Sequence, residues 1–317
     1  MQHPDPSCKL AKRSTTMKTT VSCLFIAFLG ASCVCATPVT KTVEIAPGVH
    51  MPTVNCGGVT SKPSNYSAFF AAGGRGVDTA LTYGTATQES VGAAIKASGL
   101  DRKDVFLTTK VPCCPQAMVG KMCTDYTGSI ADDVAQDLKE IGVDYVDLML
   151  LHWSCDTMEQ TISQYKQLQG LVAAGKARAI GISNFNATAI EALMSAPGVT
   201  VHPSVNQCGY SIGNHNNKRP AIGRDDATRE YCQKHGIAYE AYSPLGGLSD
   251  VDVLGNAQVQ SIAKGHGVSA AQVALRWVAQ QGGLVVTAAE NPEYLQEDLD
   301  IFSFELSDAE MSTLAAI

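Results

Sequence analysis

Several features that mark large classes of protein are missing from the sequence. Beyond the N-terminal segment there is no cluster of lysine or arginine, and the net charge is −7, so nothing favours a polyanion such as nucleic acid as a partner. No Cys-x-x-Cys pair is matched by a second pair of ligands, which argues against a metal site. With 17% charged and 45% hydrophobic residues the composition argues against disorder. It favours a globular protein that acts on small molecules.

The first 36 residues have the pattern of a targeting segment. Four basic residues precede the apolar stretch 21–35, which is followed by the small residue Ala36. The stretch is short for a membrane helix, which needs roughly 20 residues. We therefore expect a signal or targeting segment over residues 1–36, entry into the secretory pathway or export from the cell, and no stable membrane span. An uncleaved anchor, an organelle leader and a cytoplasmic location are the alternatives, and Met17 is an alternative start.

The cysteines bear on the compartment. Of 11 cysteines, four precede residue 37, which leaves an odd number and at least one unpaired thiol in the expected domain, residues 37–317. Cys113, Cys114 and Cys123 cluster in the segment VPCCPQAMVGKMC. Two interpretations stay open: a disulfide formed in an oxidising lumen, or small buried thiols in a reducing compartment.

Short apolar segments alternate with segments of helical spacing after residue 50. The predicted strands are 51–58, 75–80, 104–111, 146–153, 177–184, 203–209, 237–244 and 284–289. The predicted helices are 88–98, 130–141, 158–174, 187–194, 225–235 and 269–281. Strands that are apolar on both faces and separated by helices indicate a parallel sheet.

Eight such units in about 280 residues predict an α/β fold of the (β/α)8 TIM-barrel type, a single domain with a short N-terminal β-hairpin. An open doubly wound sheet is the alternative. It would bind a dinucleotide through a Gly-x-Gly-x-x-Gly turn, and no such motif follows any predicted strand.

Four polar residues fall where predicted strands end or just beyond them: Asp78, Tyr83, Lys110 and His152. In such barrels the chemistry lies at the C-terminal rim of the strands. Taken singly, each residue has an ordinary structural role: an aspartate caps a helix, a lysine is solvated, and a histidine is a hydrogen-bonded core residue. Because their strands are neighbours, we expect the four side chains to lie together.

The four together have the composition of a proton donor. Asp78 would keep a buried Lys110 charged, and the ammonium would lower the pKa of Tyr83 from its reference value near 10 towards a working range. A neutral His152 could orient a substrate oxygen by hydrogen bonding. Such a site protonates an oxygen that gains negative charge, as the oxygen of a carbonyl does when it receives a hydride from a nicotinamide.

Seven segments carry a resemblance to a known family: VDTALTYG, VFLTTKVP, DLMLLHW, GKARAIGISNFN, SVNQ, AYSPLG and FSFELSDAEMSTL. From about Val43 onwards the chain resembles the aldo-keto reductases. The resemblance implies an oxidoreductase that uses NAD(P)H to reduce aldehydes or ketones to alcohols. It assigns Asp78, Tyr83, Lys110 and His152 as the catalytic tetrad, the name used below, with Tyr83 as the proton donor.

The resemblance also implies residues that hold a nicotinamide dinucleotide. Tyr242 would stack on the nicotinamide ring, an arrangement that aromatic faces favour. The nicotinamide carboxamide would bond Ser183, Asn184 and Gln207, the pyrophosphate would lie along Ser243 and Leu245, and the adenine would lie near Glu297 and Asp298. At Asp298 the family usually has an asparagine.

The chain departs from the family where the 2′-phosphate of NADPH is usually bound. The usual lysine, serine and arginine are replaced by Ala288, Ala289 and Tyr294, and Glu290 adds negative charge. Charge-assisted bonds to a phosphate are worth roughly 1.5–3 kcal/mol each. We expect NADPH from the family pattern, with NADH as the alternative and a preference that shrinks or reverses.

Other departures concern the substrate. Val59 stands where the family often has an aromatic residue, Trp153 is retained, and the glutamate expected after SVNQ is replaced around Cys208 and Gly209. The sequence ends at Ile317 without the extended loop that selects bulky substrates in many relatives. These differences predict a wide pocket for small aldehydes and simple ketones, in a protein expected to be a monomer. The alternative function is a regulatory or structural barrel that binds the cofactor with little turnover.

Overall fold

An antiparallel hairpin covers one end of the barrel. The computed structural model describes residues 41–58, 64–114, 129–216 and 222–317. Strands β1 (Thr42–Ala46) and β2 (Val49–Pro52) form the hairpin, as the sequence predicts. Ile45, Val49 and Met51 pack against residues in the first half of the barrel strands, such as Leu148. The hairpin therefore covers the N-terminal end of the barrel, opposite the rim where the tetrad is expected.

Eight parallel strands close into a barrel. They are β3 (Val54–Gly57), β4 (Gly76–Asp78), β5 (Phe106–Val111), β6 (Val146–Leu151), β7 (Ala177–Ser183), β8 (Val205–Gly209), β9 (Ala238–Tyr242) and β10 (Leu284–Thr287). Each strand pairs with the next one in sequence, and β10 pairs with β3 to close the ring. This confirms the predicted (β/α)8 barrel and excludes the open sheet.

The strands form where they do because both of their faces are covered. Every residue of β5 and of β6 is buried, so an apolar run without polar alternation is stable there. The polar exceptions inside these strands include Asp147, whose carboxylate accepts the backbone N–H of Leu107 and pairs with Arg102 and Arg178 at 2.9 and 2.8 Å. These contacts tie β5 to β6.

Helices follow the strands around the outside. They are α1 (Tyr66–Ala71), α2 (Thr85–Ala97), α3 (Ile130–Ile141), α4 (Met158–Ala173), α5 (Ala187–Met194), α6 (Asp226–Lys234), α7 (Ala257–His266), α8 (Ala270–Gln280), α9 (Pro292–Leu299) and α10 (Asp308–Ala315). The sequence analysis did not predict α1, α7, α9 and α10. Among the described residues no helix is long and apolar enough to cross a membrane. The predicted targeting segment lies outside the described residues and stays a prediction.

The register of the strands brings the tetrad to one rim. Asp78, the last residue of β4, is level with Gly57 of β3 and Thr108 of β5. Lys110 lies two residues further along β5, and the backbone N–H of His152, just past β6, donates to Val111 O at 2.9 Å. Adjacent parallel strands thus present their functional residues at the C-terminal end of the barrel.

Candidate active site

A cavity of about 410 Å³ opens at the C-terminal rim. Asp78, Tyr83 and His152 of the tetrad line it. So do six of the eight residues assigned to the cofactor by resemblance: Ser183, Asn184, Gln207, Tyr242, Ser243 and Leu245. Residues drawn from separate segments of the sequence therefore share one cavity, and Lys110 lies directly beneath it, paired with Asp78.

Lys110 is a fixed cation in the wall of the barrel. Its Nζ lies 2.6 Å from Asp78 Oδ1, with both side chains almost fully buried, and it donates to Thr79 O at 2.9 Å. The charge of the same ammonium acts on the neighbouring Tyr83 hydroxyl. Burial alone would lower the pKa of Lys110, but Asp78 and the other neighbours outweigh it and raise the pKa. Lys110 is therefore charged at every physiological pH.

Tyr83 is presented to the cavity by a short turn. The 3-10 turn Leu81–Tyr83 follows β4 directly, and Gly84 continues it at φ 88°, in the left-handed region that favours glycine. The ammonium of Lys110 lies 5.3 Å from the centre of the Tyr83 ring.

The acidity of Tyr83 differs from the sequence-based expectation. Burial raises the pKa of Tyr83 above its ordinary value of 10.0, while the Lys110 ammonium opposes that rise. The expected lowering by Lys110 is present, but the free energy of burying a phenolate outweighs it. The prediction that the pKa falls towards a working range is therefore wrong for the free protein. Lys110 limits the rise, and the hydroxyl keeps its proton across the physiological range.

His152 is a neutral imidazole at the edge of Tyr83. Burial, and then the charge of Lys110, hold the pKa of His152 well below 6.5. Its Nδ1 is 3.1 Å from the Thr82 hydroxyl, so only Nε2 remains for another partner. The His152 ring meets the edge of the Tyr83 ring at 5.8 Å and stacks on Trp153 at 4.4 Å. These contacts hold the imidazole beside the tyrosine.

A chain of hydrogen bonds connects the C-terminal ends of β6, β7 and β9 at the cavity. The Tyr242 hydroxyl donates to Asn184 Oδ1 at 2.8 Å and accepts from Arg224 Nη2 at 2.7 Å. The Asn184 amide donates to His152 O at 3.1 Å and to Ser183 Oγ at 3.0 Å. Sequence reasoning missed Arg224.

Backbone strain is concentrated at the same cavity. Among the described residues, Asn184 and Ser243 are the two non-glycine residues with positive φ, at 65° and 53°. Such conformations cost roughly 1–3 kcal/mol each and persist where the surroundings enforce them, often at functional sites. Both residues line the cavity and both follow a barrel strand.

A second buried carboxyl group lies below the tetrad. Gln207 Nε2 donates to Asp78 Oδ2 at 2.8 Å and to Glu240 Oε2 at 2.7 Å. Burial, and then the neighbouring Asp78, raise the pKa of Glu240 to about 8. The sequence analysis missed Glu240, although a glutamate within the apolar strand AYEAY was a visible signal.

With this geometry established, comparison with known proteins decides the family. The model of the Aldo/keto reductase family matches residues 64–317. The chain belongs to the aldo/keto reductase family. This confirms the resemblance drawn from the sequence, and it makes the protein an oxidoreductase with activity on carbonyl compounds.

Individual relatives agree with the family assignment. The chain is 33% identical over 279 residues to an aldo-keto reductase of Mycobacterium sp. (strain KMS), an overlap of 87% of this chain and 92% of the relative. It is 33% identical over 287 residues to the morphine 6-dehydrogenase of Pseudomonas putida, over 86% of this chain and 89% of that protein. The crystal structure of an aldo/keto reductase from Brucella melitensis superposes with a TM-score of 0.72 at 32% identity, covering 88% of this chain and 99% of that one.

In this aldo/keto reductase, the positions expected from the sequence to lie at the adenine end of the cofactor carry no cation. Ala288 lies on the cavity wall, Tyr294 is 57% exposed on α9, and Glu290 is exposed between them. Asp298 is buried on α9, where burial raises its pKa to about 7, and Glu297 is half-buried beside it. The three aligned positions, Ala288, Ala289 and Tyr294, offer no positive charge to a 2′-phosphate.

Two residues, Val59 and Trp153, are predicted from the sequence to contact the substrate. Val59 lies outside the described residues. Trp153 is buried behind His152 and is not among the residues that line the cavity. Its indole N–H donates to Cys113 O at 3.0 Å. Trp153 therefore contacts the site through the His152 ring.

A disulfide joins two segments of the rim. Cys113, just past β5, is bonded to Cys155, just past β6, with Cα atoms 4.9 Å apart. Cys114 is also disulfide-bonded, while Cys123 lies outside the described residues. Within the described ranges, three buried thiols are free: Cys56, Cys208 and Cys232. Of the two interpretations of the cysteine-rich segment, the disulfide holds for Cys113, with a partner that the sequence did not indicate.

Proposed function

We propose that the protein is an NAD(P)H-dependent reductase of aldehydes and ketones in which Tyr83 donates the proton. The observation that carries the proposal is the buried pair of Lys110 and Asp78 beneath a tyrosine hydroxyl, beside a neutral His152, on one cavity. A barrel that only binds a dinucleotide has no need of this arrangement.

The residues on the cavity wall fit a nicotinamide dinucleotide. The ring of Tyr242 gives a flat apolar face, and the side-chain amides of Asn184 and Gln207 border the same cavity. When bound, the reduced cofactor supplies a hydride to the carbonyl carbon. In this proposal Ser183, Asn184 and Gln207 hold its carboxamide, Ser243 and Leu245 its pyrophosphate, and Glu297 and Asp298 lie at its adenine.

The chain's own residues supply the proton and stabilise the charge. The carbonyl oxygen becomes negative as its carbon is reduced, and the Tyr83 hydroxyl gives it a proton. The phenolate left behind lies against the Lys110 ammonium, which stabilises it. If the Thr82 hydroxyl donates to His152 Nδ1, the proton of the imidazole is on Nε2, which then donates to the carbonyl oxygen.

For the cofactor we propose NADPH, as is general in the family, with NADH accepted as well. Ala288 and Tyr294 offer no charge to a 2′-phosphate, and the exposed Glu290 repels one. Two lost charge-assisted bonds would remove roughly 3 kcal/mol or more of discrimination. A ratio of kcat/KM for NADPH over NADH above about 1,000 would contradict this reasoning.

For the substrate we propose small aldehydes and simple ketones. A cavity of about 410 Å³ has to hold the nicotinamide end of the cofactor as well as the substrate. Because one relative is named morphine 6-dehydrogenase, a bulky alcohol belongs in the same panel. Turnover of bulky compounds alone would overturn the assignment.

For location we propose the secretory pathway or the outside of the cell. Cys113–Cys155 supports this, since structural disulfides persist mainly in oxidising compartments. Expression with the native N-terminus, followed by N-terminal sequencing of the exported protein, tests both the location and cleavage near Ala36. A full-length protein that stays in the cytosol with reduced thiols contradicts it.

The deciding experiment combines binding and turnover. Purified protein is titrated with NADPH and NADH while the nicotinamide fluorescence is followed, and a carbonyl panel is then screened for cofactor oxidation. Binding of a cofactor with carbonyl-dependent oxidation supports the proposal. Binding without oxidation by any carbonyl establishes the alternative function, a binding barrel.

A further inference from the structure

Gln207 is held by two carboxyl groups on one side of its amide. Its Nε2 is 2.8 Å from Asp78 Oδ2 and 2.7 Å from Glu240 Oε2, and all three residues are buried in the barrel. An amide nitrogen has two N–H bonds, so both are used here. No described residue bonds the other end of the amide, Oε1.

The chemistry of Asp78 fixes which end of the amide faces inwards. Asp78 Oδ1 accepts from the Lys110 ammonium at 2.6 Å. A carboxylate in such an ion pair only accepts hydrogen bonds, so the amide atom beside its Oδ2 has to be the nitrogen. The oxygen of Gln207, a residue that lines the cavity, is left as the end that can serve a ligand.

Glu240 is itself held in place from the far side. Asn55 Nδ2 donates to Glu240 Oε1 at 3.0 Å and to Pro52 O at 3.0 Å. Gly76 makes room for this contact, since a Cβ there would lie 1.9 Å from Asn55 Oδ1. Two neighbouring strands are therefore adapted to the placement of the Glu240 carboxyl group.

We propose that Glu240 is a positioning residue that fixes the Gln207 amide with its oxygen towards the cavity, so that Gln207 accepts an N–H from the carboxamide of the nicotinamide. The inference rests on the proposed function. With Asp78 as its only acceptor, the amide would be free to turn about that single bond; the second acceptor removes this freedom. Burying a carboxyl group lowers stability relative to an apolar residue of the same size. A purely structural role for Glu240 does not explain why a carboxyl group is buried here.

Two variants separate the acceptor oxygen from the titratable carboxyl group. Glu240→Met keeps the length of the side chain but removes the acceptor, while Glu240→Gln keeps an acceptor oxygen and removes the titratable group. Asp137→Asn is the matched control, because Asp137 is equally buried on α3 and does not line the cavity. Thermal unfolding establishes that each variant is folded.

The probes are the nicotinamide dinucleotide, its 3-acetylpyridine analogue and ADP-ribose, with dissociation constants measured by fluorescence or calorimetry. The analogue has a methyl group in place of the carboxamide nitrogen and therefore offers Gln207 no N–H. ADP-ribose lacks the nicotinamide entirely. A lost hydrogen bond of about 1.4 kcal/mol corresponds to about tenfold in Kd.

We expect wild-type protein, Glu240→Gln and Asp137→Asn to bind the parent dinucleotide about tenfold tighter than the acetylpyridine analogue. In Glu240→Met this ratio should collapse towards one, with the Kd for ADP-ribose unchanged. Equal affinity of wild type for the two dinucleotides overturns the proposal, even if Glu240→Met does not fold. A Glu240→Met variant that keeps the ratio, or weakens ADP-ribose equally, also overturns it. Wild-type binding and turnover of the parent cofactor are measured first and test the proposed function separately.

Discussion

Replacing Lys110 by methionine removes the cation of the site while keeping much of the side-chain volume. We expect two separate effects, one on stability and one on the rate of carbonyl reduction. Asp78 is left buried with Gln207 as its remaining described donor, and breaking a buried pair in this way costs about 3–5 kcal/mol of unfolding free energy. Tyr83 loses the charge that opposes the effect of burial on its pKa. The variant should be both less stable and slower.

The loss of rate can be worked out from one distance. With the Lys110 ammonium 5.3 Å from the centre of the Tyr83 ring and an effective dielectric constant of about 20, the charge stabilises a phenolate by about 3 kcal/mol. Since about 1.4 kcal/mol is a factor of ten, carbonyl reduction in a single turnover should fall by about a hundredfold. The Kd of the cofactor should change little, because Lys110 lies beneath the cavity wall.

Single-turnover reduction and denaturant unfolding are measured for Lys110→Met and for the double variant Asp78→Asn with Lys110→Met. The double variant leaves no unpaired carboxylate, so it should regain most of the lost stability without regaining rate. A single variant that unfolds like wild type and reduces carbonyls within about threefold of its rate refutes the electrostatic reasoning. Recovery of rate in the double variant refutes it as well.

Three further predictions follow from other parts of the structure. Burial raises the pKa of Asp137 from 3.8 to about 8, so ionisation of this carboxyl group lowers the free energy of unfolding as the pH rises through that interval. Asp137→Asn should lack this decline when unfolding is measured between pH 4 and 8, and the same dependence of stability on pH as in wild type contradicts it. Ala288→Lys with Tyr294→Arg should raise the NADPH preference in Kd by at least about tenfold, and no change contradicts the phosphate argument. Cys155→Ser opens a loop of 42 residues and should cost about 2–4 kcal/mol in denaturant unfolding, so wild-type stability contradicts a structural disulfide.

The sequence predicted the barrel because its strands are buried on both faces and therefore read as short apolar runs. The long amphipathic helices were equally visible, and the predicted range 130–141 agrees with α3 at both ends. The short helix α1 lies near the lower limit of helix length: its Tyr66, Phe69 and Phe70 have the i, i+3, i+4 spacing of a helix, but six residues are too few for the pattern to recur. For α10 the signal was present, since Ser307 and Glu310 form a capping box, and it was overlooked.

Some residues of the candidate site were also predictable from the sequence, and others were not. Residues of the tetrad could be placed from sequence because each lies at or near a strand end, where a parallel barrel brings such residues to one rim. Glu240 and Arg224 were missed because their roles depend on tertiary contacts. Glu240 bonds Asn55, 185 residues away, and Arg224 reaches the Tyr242 hydroxyl through a close approach over Gly209. The partner of Cys113 was out of reach for a related reason, since pairing is not encoded by spacing.

The direction in which the pKa of Tyr83 shifts could not be predicted from the sequence. Sequence reasoning identified the two opposing contributions, a buried phenol and a nearby ammonium, but not which one is larger. That balance depends on how completely the ring is removed from water, and here burial wins. The proposed proton donor is thus a weak acid in the free protein, and in this proposal it relies on the charge that develops on the substrate oxygen.

The most direct test of the account is single-turnover carbonyl reduction by Tyr83→Phe, with the Kd of the cofactor measured on the same preparation. The phenyl ring keeps the packing against His152 and removes only the hydroxyl. The account predicts that reduction falls by at least about a hundredfold while the Kd of the cofactor stays within about twofold. Reduction at a rate close to that of wild type would contradict the assignment of Tyr83 as the proton donor.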